Sequence, residues 1–399
     1  MGTKVAPRTD TRSAPVEVAR QLAPAMASRA EAYDREGAFP VEDFTAIRNA
    51  GLLGLFTPEP LGGYGASFAD YAEVAMALAK GNGATALIFN MHACVTGSLA
   101  LLPDELPRVL GLPESFFVTR DRLLADAARG ALFAVAMSER GAGSRLSQLS
   151  TRYTRTSNGF RIIGSKTFCS GAGHVDGYVV AARSAQDSTK LSQFFVEAWR
   201  PGLEVEQTWD SLGMRATVSN DLHLDVEVPT QALLGGVEGL GLAIAYAMPQ
   251  WLVASYAAVY AGVAQASVDA AAEFVRRRGL ERLPAVRARI GRAEAAVASA
   301  IAVVREAARR VDSAPGDAET NRWVWRAKLV AGDTATDVAA SMLEACGASA
   351  TRRGTDVERL YRDARCGALQ PATSDVCADW LGLAALGLDP MADAEVPRW

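Results

Sequence analysis

The spacing of apolar residues changes character twice along the chain. From Val16 to about Arg129 it is helical: Ala19, Leu22, Ala23 and Met26 share one stripe, and Phe44, Ile47 and Leu52 extend the pattern. Gly51 and Gly54 mark a turn, while Pro58, Pro60, Gly62, Gly63 and Gly65 mark a loop. Residues 67–79 and 85–101 predict two further apolar helices. Near Ala131 the pattern shortens to β-rich runs at 133–137, 151–155, 160–163, 178–181, 193–196 and 221–226, separated by Gly, Asn and Ser. That spacing predicts a small barrel or sandwich. After Val228 and Pro229 helical spacing returns at 240–276, 285–311, 321–346 and 374–386, and four such segments with short connections predict a bundle. Helices, a β insert and helices again give an α+β class. Its units are an N-terminal α-helical domain (16–129), a middle β-barrel domain (130–236) and a C-terminal four-helix bundle (237–399).

Two loops carry candidate chemistry. Ser138-Glu139-Arg140-Gly141-Ala142-Gly143-Ser144 follows an apolar strand directly. Glycines there let the backbone approach a ligand, and exposed N–H groups and hydroxyls suit a phosphate or a carbonyl. Leu146 stands where a dinucleotide fingerprint needs its third glycine; the alternative is a plain glycine-rich hairpin loop. The second segment runs from Gly164 to Gly173 and contains Phe168, Cys169 and Ser170. An aromatic there can stack on a planar cofactor while Ser170 bonds its polar edge, or the segment is a strand-end turn with a core Phe.

Composition narrows the field. Of 399 residues 49% are hydrophobic and 22% charged, with a net charge of −4, which excludes a nucleic-acid binder and a polybasic membrane-surface protein. Cys94, Cys169, Cys346, Cys366 and Cys377 are odd in number and lack Cys-x-x-Cys spacing, and His92, His174 and His223 lie far apart. A disulfide framework and a metal site are therefore not expected. The first fifteen residues lack an apolar core and read as a frayed arm, not a signal peptide. The uncharged stretch between Glu238 and Asp269 is long enough to span a bilayer. It is Ala-rich and contains Pro249, Gln250 and Gln265, so a helix buried on all sides explains it better. A cytoplasmic protein is expected.

The two loops together resemble the acyl-CoA dehydrogenase superfamily. The run from Ala50 to Gly65 and Gly83-Ala-Thr-Ala86 match its N-terminal part, and Ser138 to Ser144 corresponds to its Thr-Glu-Pro-Gly-Ala-Gly-Ser. Phe168-Cys169-Ser170 corresponds to Trp-Ile-Thr. Leu212-Gly213-Met214-Arg215, Val226-Glu227-Val228-Pro229 and Leu360-Tyr361-Arg362-Asp363-Ala364-Arg365 follow in the family's order. The resemblance implies a homodimer or homotetramer holding flavin, FAD with FMN as the alternative, between the β domain and the bundle. By position, Met137 and Ser138 would meet the pyrimidine end, Phe168 would flank the ring with Cys169 beside it, and Ser170 would bond near N5. Gly143 and Ser144 would contact phosphate or the substrate arm. Thr373 and Asp375 would lie near the chain's own cofactor, and Glu344, Gly347 and Ala348 near the adenosine half of a neighbour's FAD. Arg278, in a shortened form of the family's Arg-x-x-Phe-Gly, would reach a neighbour's pyrophosphate or simply end a solvated helix.

The resemblance breaks where the family keeps its catalytic glutamate. Counting from Arg362-Asp363-Ala364, that position is Pro371, between Gln370 and Ala372. Proline has neither a carboxylate, a general base being worth about 10²–10⁴-fold, nor the N–H that polarises a thioester carbonyl, a donor worth about 2.7–4 kcal/mol. A base from the first bundle helix, as in some members, is missing too. The matching segment holds Gln250 and, in place of a substrate-side Arg, Val253. Asp375 is the nearest acid and reads as a helix cap. No catalytic residue is assigned; Ser144, Gln250, Val253, Gln370, Pro371 and Ala372 are the substrate-side candidates. Three functions remain. The first is an acyl-thioester dehydrogenase, on CoA or an acyl carrier protein, with a relocated base. The second is a flavin-dependent monooxygenase of the same fold, and the third an inactive flavin-binding homologue. The kept Gly-Ala-Gly-Ser and Gly-Met-Arg segments put the first slightly ahead.

Overall fold

The computed structural model describes residues 14–102, 109 and 111–389. The arm expected at residues 1–15 lies outside them except for Ala14 and Pro15, which begin α1 (Ala14–Glu36). α2 (Val41–Asn49), α3 (Phe68–Gly81), α4 (Gly83–Ala100) and α5 (Glu114–Ala128) follow. α3 starts at a capping box: Ser67 Oγ accepts from Asp70 N, and the Asp70 carboxylate accepts from Ser67 N. Its next free amides, Phe68 N and Ala69 N, donate to Asp312 of the distant C-terminal part at 2.8 and 2.9 Å. α4 is buried on nearly every side from Gly83 to Gly97, which is why its sequence is apolar without a polar face.

Seven strands come next: β1 (Phe133–Ala136), β2 (Arg152–Arg155), β3 (Gly159–Cys169), β4 (Gly177–Ser184), β5 (Leu191–Glu197), β6 (Leu203–Glu206) and β7 (Asn220–Pro229). They form one sheet in the order β1-β4-β2-β3-β7-β6, with β5 also on β4. β4 runs parallel to β1 and β2, and the remaining pairs are antiparallel. The sequence pattern misses β6, whose Leu-Glu-Val-Glu is short and largely exposed. It also shortens β3, which continues past Ile163 through Gly164 to Cys169. Near that end the β3–β7 register shifts between Lys166 and Cys169, a bulge that re-aims side chains.

The C-terminal part holds α6 (Leu240–Ala247), α7 (Ala254–Arg277), α8 (Pro284–Ser313), α9 (Ala318–Cys346), α10 (Asp356–Arg365) and α11 (Ser374–Ala385). The single helix expected over 240–276 is two, because Pro249 cannot donate to the helical ladder and a 3₁₀ turn, Pro249–Trp251, separates them. α8 and α9 pack on α7, α11 packs on α9, and α3 also lies against α7 and α8, so the bundle and the N-terminal helices share one core. α10 escapes an apolar-periodicity reading because its buried face is charged. Arg362 donates to Asp34 of α1 at 2.9 Å and to Leu212 O at 3.0 Å, and it pairs with Glu358. The apolar segment Pro249–Arg277 has 83% of its most hydrophobic window buried inside the protein, as expected of a core helix.

Candidate functional site

A cleft of about 460 Å³ opens where the sheet meets α4, α7 and the loop before α11. Its first wall is the turn after β1. Glu139 and Gly143 exchange backbone hydrogen bonds at 3.0 and 2.7 Å, with Gly143 at φ +60, and Ser138, Gly143 and Ser144 face the cleft. A Cβ added at Gly143 would meet nothing within 4 Å, so the turn leaves open space for a ligand. The Glu139 carboxylate points inward and anchors the turn. It takes Lys166 Nζ at 2.8 Å, Ser150 N at 2.6 Å and Thr151 N at 3.1 Å. Burial opposes its ionisation, yet the Lys166 ammonium and these donors outweigh that and hold it down at about 2.

The bulge in β3 makes the second wall. It sends Lys166 inward, 1% exposed, and turns Phe168 outward, 61% exposed at φ +57. Phe168 lies edge-on to Trp209, ring centroids 5.8 Å apart, and both line the cleft. Ser170 and Ser219 lie beside them, their hydroxyls 2.9 Å apart, and Ser219 continues to Thr217 at 2.7 Å. Cys169 faces the other way. Its thiol is fully buried and pushed up to about 12 by that burial, and it does not line the cleft.

The third wall comes from the helices. Leu87, Met91 and Tyr256 line it with Leu369, Gln370, Pro371 and Thr373 of the closing loop. Buried Lys328 of α9 donates to Gly367 O at 2.9 Å and fixes that loop; burial pulls its ammonium down to about 8. Two smaller lobes adjoin, of about 60 and 50 Å³. Met137 lines both and does not reach the main cleft.

Of the substrate-side candidates, the structure brings Ser144, Gln370 and Pro371 together in the cleft. Gln370 Oε1 is buried without a hydrogen-bond partner among the described residues. Ala372 is 7% exposed and turned away, and Gln250 and Val253 are packed at 2% and 0%; Trp251, Leu252 and Tyr256 take the places these two were expected to hold. Asp375 is exposed and lines nothing, and Thr373, not Asp375, caps α11 by accepting from Val376 N. Arg278, Glu344, Gly347 and Ala348 lie apart from the cleft. Arg278 caps α7 and reaches Ser349, while Glu344 pairs with Arg289. Trp209, Tyr256 and Ser219 were not foreseen; only Trp209, close before Leu212-Gly-Met-Arg, had a nearby signal.

Among the described residues, none lining the cleft or its lobes is Asp, Glu, His or Lys. Three acids of the surrounding segments are engaged elsewhere. Asp221 holds Arg140 and Thr167, Asp363 takes Met214 N at 2.6 Å, and Asp333 takes Ser374. No group of His, Cys, Asp or Glu suited to a metal ion occurs among the described residues.

Three family models match the chain in order: acyl-CoA dehydrogenase N-terminal domain over residues 9–103, middle domain over 134–226 and C-terminal domain over 241–379. The chain is 28% identical to the putative acyl-CoA dehydrogenase YdbM of Bacillus subtilis (strain 168), over 86% of its own length and 88% of the relative's. It is 30% identical to the L-evernosamine nitrososynthase of a Micromonospora species, over 96% and 92%. The crystal structure of FMN-bound TdsC from Paenibacillus sp. A11-2 superposes with a TM-score of 0.82 at 26% identity, covering 94% and 97% of the two chains.

Proposed function

The chain belongs to the acyl-CoA dehydrogenase superfamily of flavin-dependent oxidoreductases, and from that premise we propose that it is a flavin-dependent monooxygenase acting on a neutral substrate. One observation carries the choice: Pro371 stands in the cleft where a dehydrogenase needs a carboxylate, and no other lining residue supplies one. A dehydrogenase must remove a proton from carbon. A monooxygenase instead puts one atom of O₂ into the substrate and releases the other as water, and the substrate position needs no strong base.

The residues fit a flavin. Phe168 and Trp209 offer aromatic surface, Ser170 and Ser219 offer hydroxyls for its polar edge, and the open turn at Gly143 and Ser144 leaves room for a phosphate-bearing chain. A cleft of this size lies within the usual range for cofactors, about 300–1,000 Å³. Bound flavin, reduced by a separate reductase, would supply the two electrons that balance the reaction. Tyr256 is the one phenol in the wall. Burial pushes its hydroxyl well above the usual tyrosine value, so it serves as a hydrogen-bond donor and not as a base. Among the described residues its hydrogen-bond contact is a long one to Met91 Sδ, 3.8 Å, which leaves Oη available to orient substrate and exclude water.

The acyl-thioester dehydrogenase, on CoA or an acyl carrier protein, is the second reading; the likeness to YdbM favours it. In either case the enzyme is read as a cytoplasmic homodimer or homotetramer with the three units 16–129, 130–236 and 237–399. Arg278, Glu344, Gly347 and Ala348, gathered at the ends of α7 and α9, are then read as facing a neighbour's cofactor, which would be FAD; FMN needs no such contact. Anaerobic titration with acyl-CoA thioesters decides between the chemistries. The oxidised flavoprotein should keep its colour, and with a flavin reductase, NADH and ¹⁸O₂ a neutral aromatic such as indole should gain label. Bleaching by a thioester would overturn the oxygenase reading.

A further inference from the structure

The two lobes beside the cleft share Val135, Met137 and Leu252 and form one mostly apolar chamber. The nearer lobe shares Met91, Ser144, Tyr256 and Pro371 with the cleft, and the farther one continues past Val135, Met137 and Leu252 to Trp251. The indole of Trp251 is 3% exposed and locked from behind. It meets Phe56 edge-on at 5.2 Å and Phe68 at 5.1 Å. A Cβ on Gly97 of α4 would lie 2.2 Å from the Trp251 ring, so the indole occupies the space that a side chain at position 97 would take. The groove between α4 and the start of α7 is therefore filled by the protein itself. What remains is about 60 and 50 Å³, less than the roughly 150 Å³ of an apolar cavity that accepts benzene.

We propose that Trp251 is the specificity-determining residue of this site: its indole ends the chamber, so the group presented there is a short, uncharged hydrocarbon group and not an extended acyl chain. The inference rests on the reading that substrate reacts in this cleft. Each methylene that finds apolar room adds about 0.8 kcal/mol, close to fourfold in affinity, whereas one that meets the indole adds nothing.

The test uses flavin-loaded protein and 4-alkylphenols from 4-methylphenol to 4-hexylphenol, with Kd read by calorimetry. In the wild type the fourfold gain per methylene should stop early in the series. In Trp251→Phe and Trp251→Ala it should continue to longer chains. Ser98→Leu, which narrows the same lobe from α4, should stop it sooner and covers the case in which the Trp251 variants do not fold. Unbroken gain through 4-hexylphenol in the wild type, the same stopping point in folded variants, or no phenol binding at all overturns the inference. A chain that takes up no flavin overturns the flavoprotein reading before any phenol is added, and so the two failures are distinct.

Discussion

Replacing Glu139 by Gln removes the one carboxylate that, among the described residues, faces the buried Lys166 ammonium. The pair is 2.8 Å apart, with side chains 5% and 0% exposed, so solvent screens it little. Leaving one member of such a pair uncompensated costs about 3–5 kcal/mol. The direction agrees: burial opposes ionisation of Glu139, yet the Lys166 ammonium and the hydrogen-bond donors hold its carboxyl below the ordinary value. Over 399 residues the unfolding entropy is about 0.84 kcal/mol/K from ~2.1 cal/mol/K per residue, and the melting temperature should fall by about 4–6 °C. The sign with pH is fixed because the folded value is the lower one. The contribution is complete above about 4.5 and is lost as pH falls towards about 2, so the gap between wild type and variant should narrow across that window. Calorimetry at neutral and acidic pH measures both effects. A shift under 1 °C at neutral pH, or a gap that widens on acidification, would refute the anchoring role. Glu139→Leu with Lys166→Met should recover part of the loss, since no charge is then stranded although Ser150 N and Thr151 N still lose their acceptor.

Three other outcomes are expected. Phe168→Ala should lower the flavin retained after gel filtration while the far-UV spectrum stays unchanged; full retention would remove Phe168 from the stacking wall. Pro371→Glu restores both a carboxylate and an amide, and thioester-driven bleaching should appear in stopped-flow, up to about 10²-fold above background at the low end of what a general base contributes. Silence in a folded, flavin-bound variant would mean that the cleft does not place a thioester beside that residue. Tyr256→Phe should reduce turnover with unchanged flavin content and unchanged melting; equal turnover would exclude its hydroxyl from orienting substrate.

Much of the architecture is legible in the apolar spacing, because α1, α3, α8 and α9 are amphipathic, β1, β4 and β5 carry apolar runs and β7 alternates apolar with polar positions. What escaped did so for physical reasons. α10 buries Glu358, Arg359, Arg362 and Asp363 against each other and Asp34, and a charged core face leaves no hydrophobic period. β6 is an exposed edge strand. The glycine turn and Phe168 were visible as motifs, whereas the direction of Cys169 depends on a bulge that no residue-type pattern announces. Gln250 and Val253 were assigned from the segment that matches the family's first bundle helix, read as one continuous helix. Pro249 interrupts that helix, and the turn it creates presents Trp251 and Leu252 instead.

The bulge between Lys166 and Cys169 also determines which chemistry the cleft wall displays. Alternation along a strand has a period of two, so without an extra residue Lys166 and Phe168, two apart, would point to the same side. The bulge separates them, keeping the ammonium under the glycine turn while the ring takes the open side. A substitution at Phe168 therefore costs the protein its ligand surface and leaves the anchor of the turn in place.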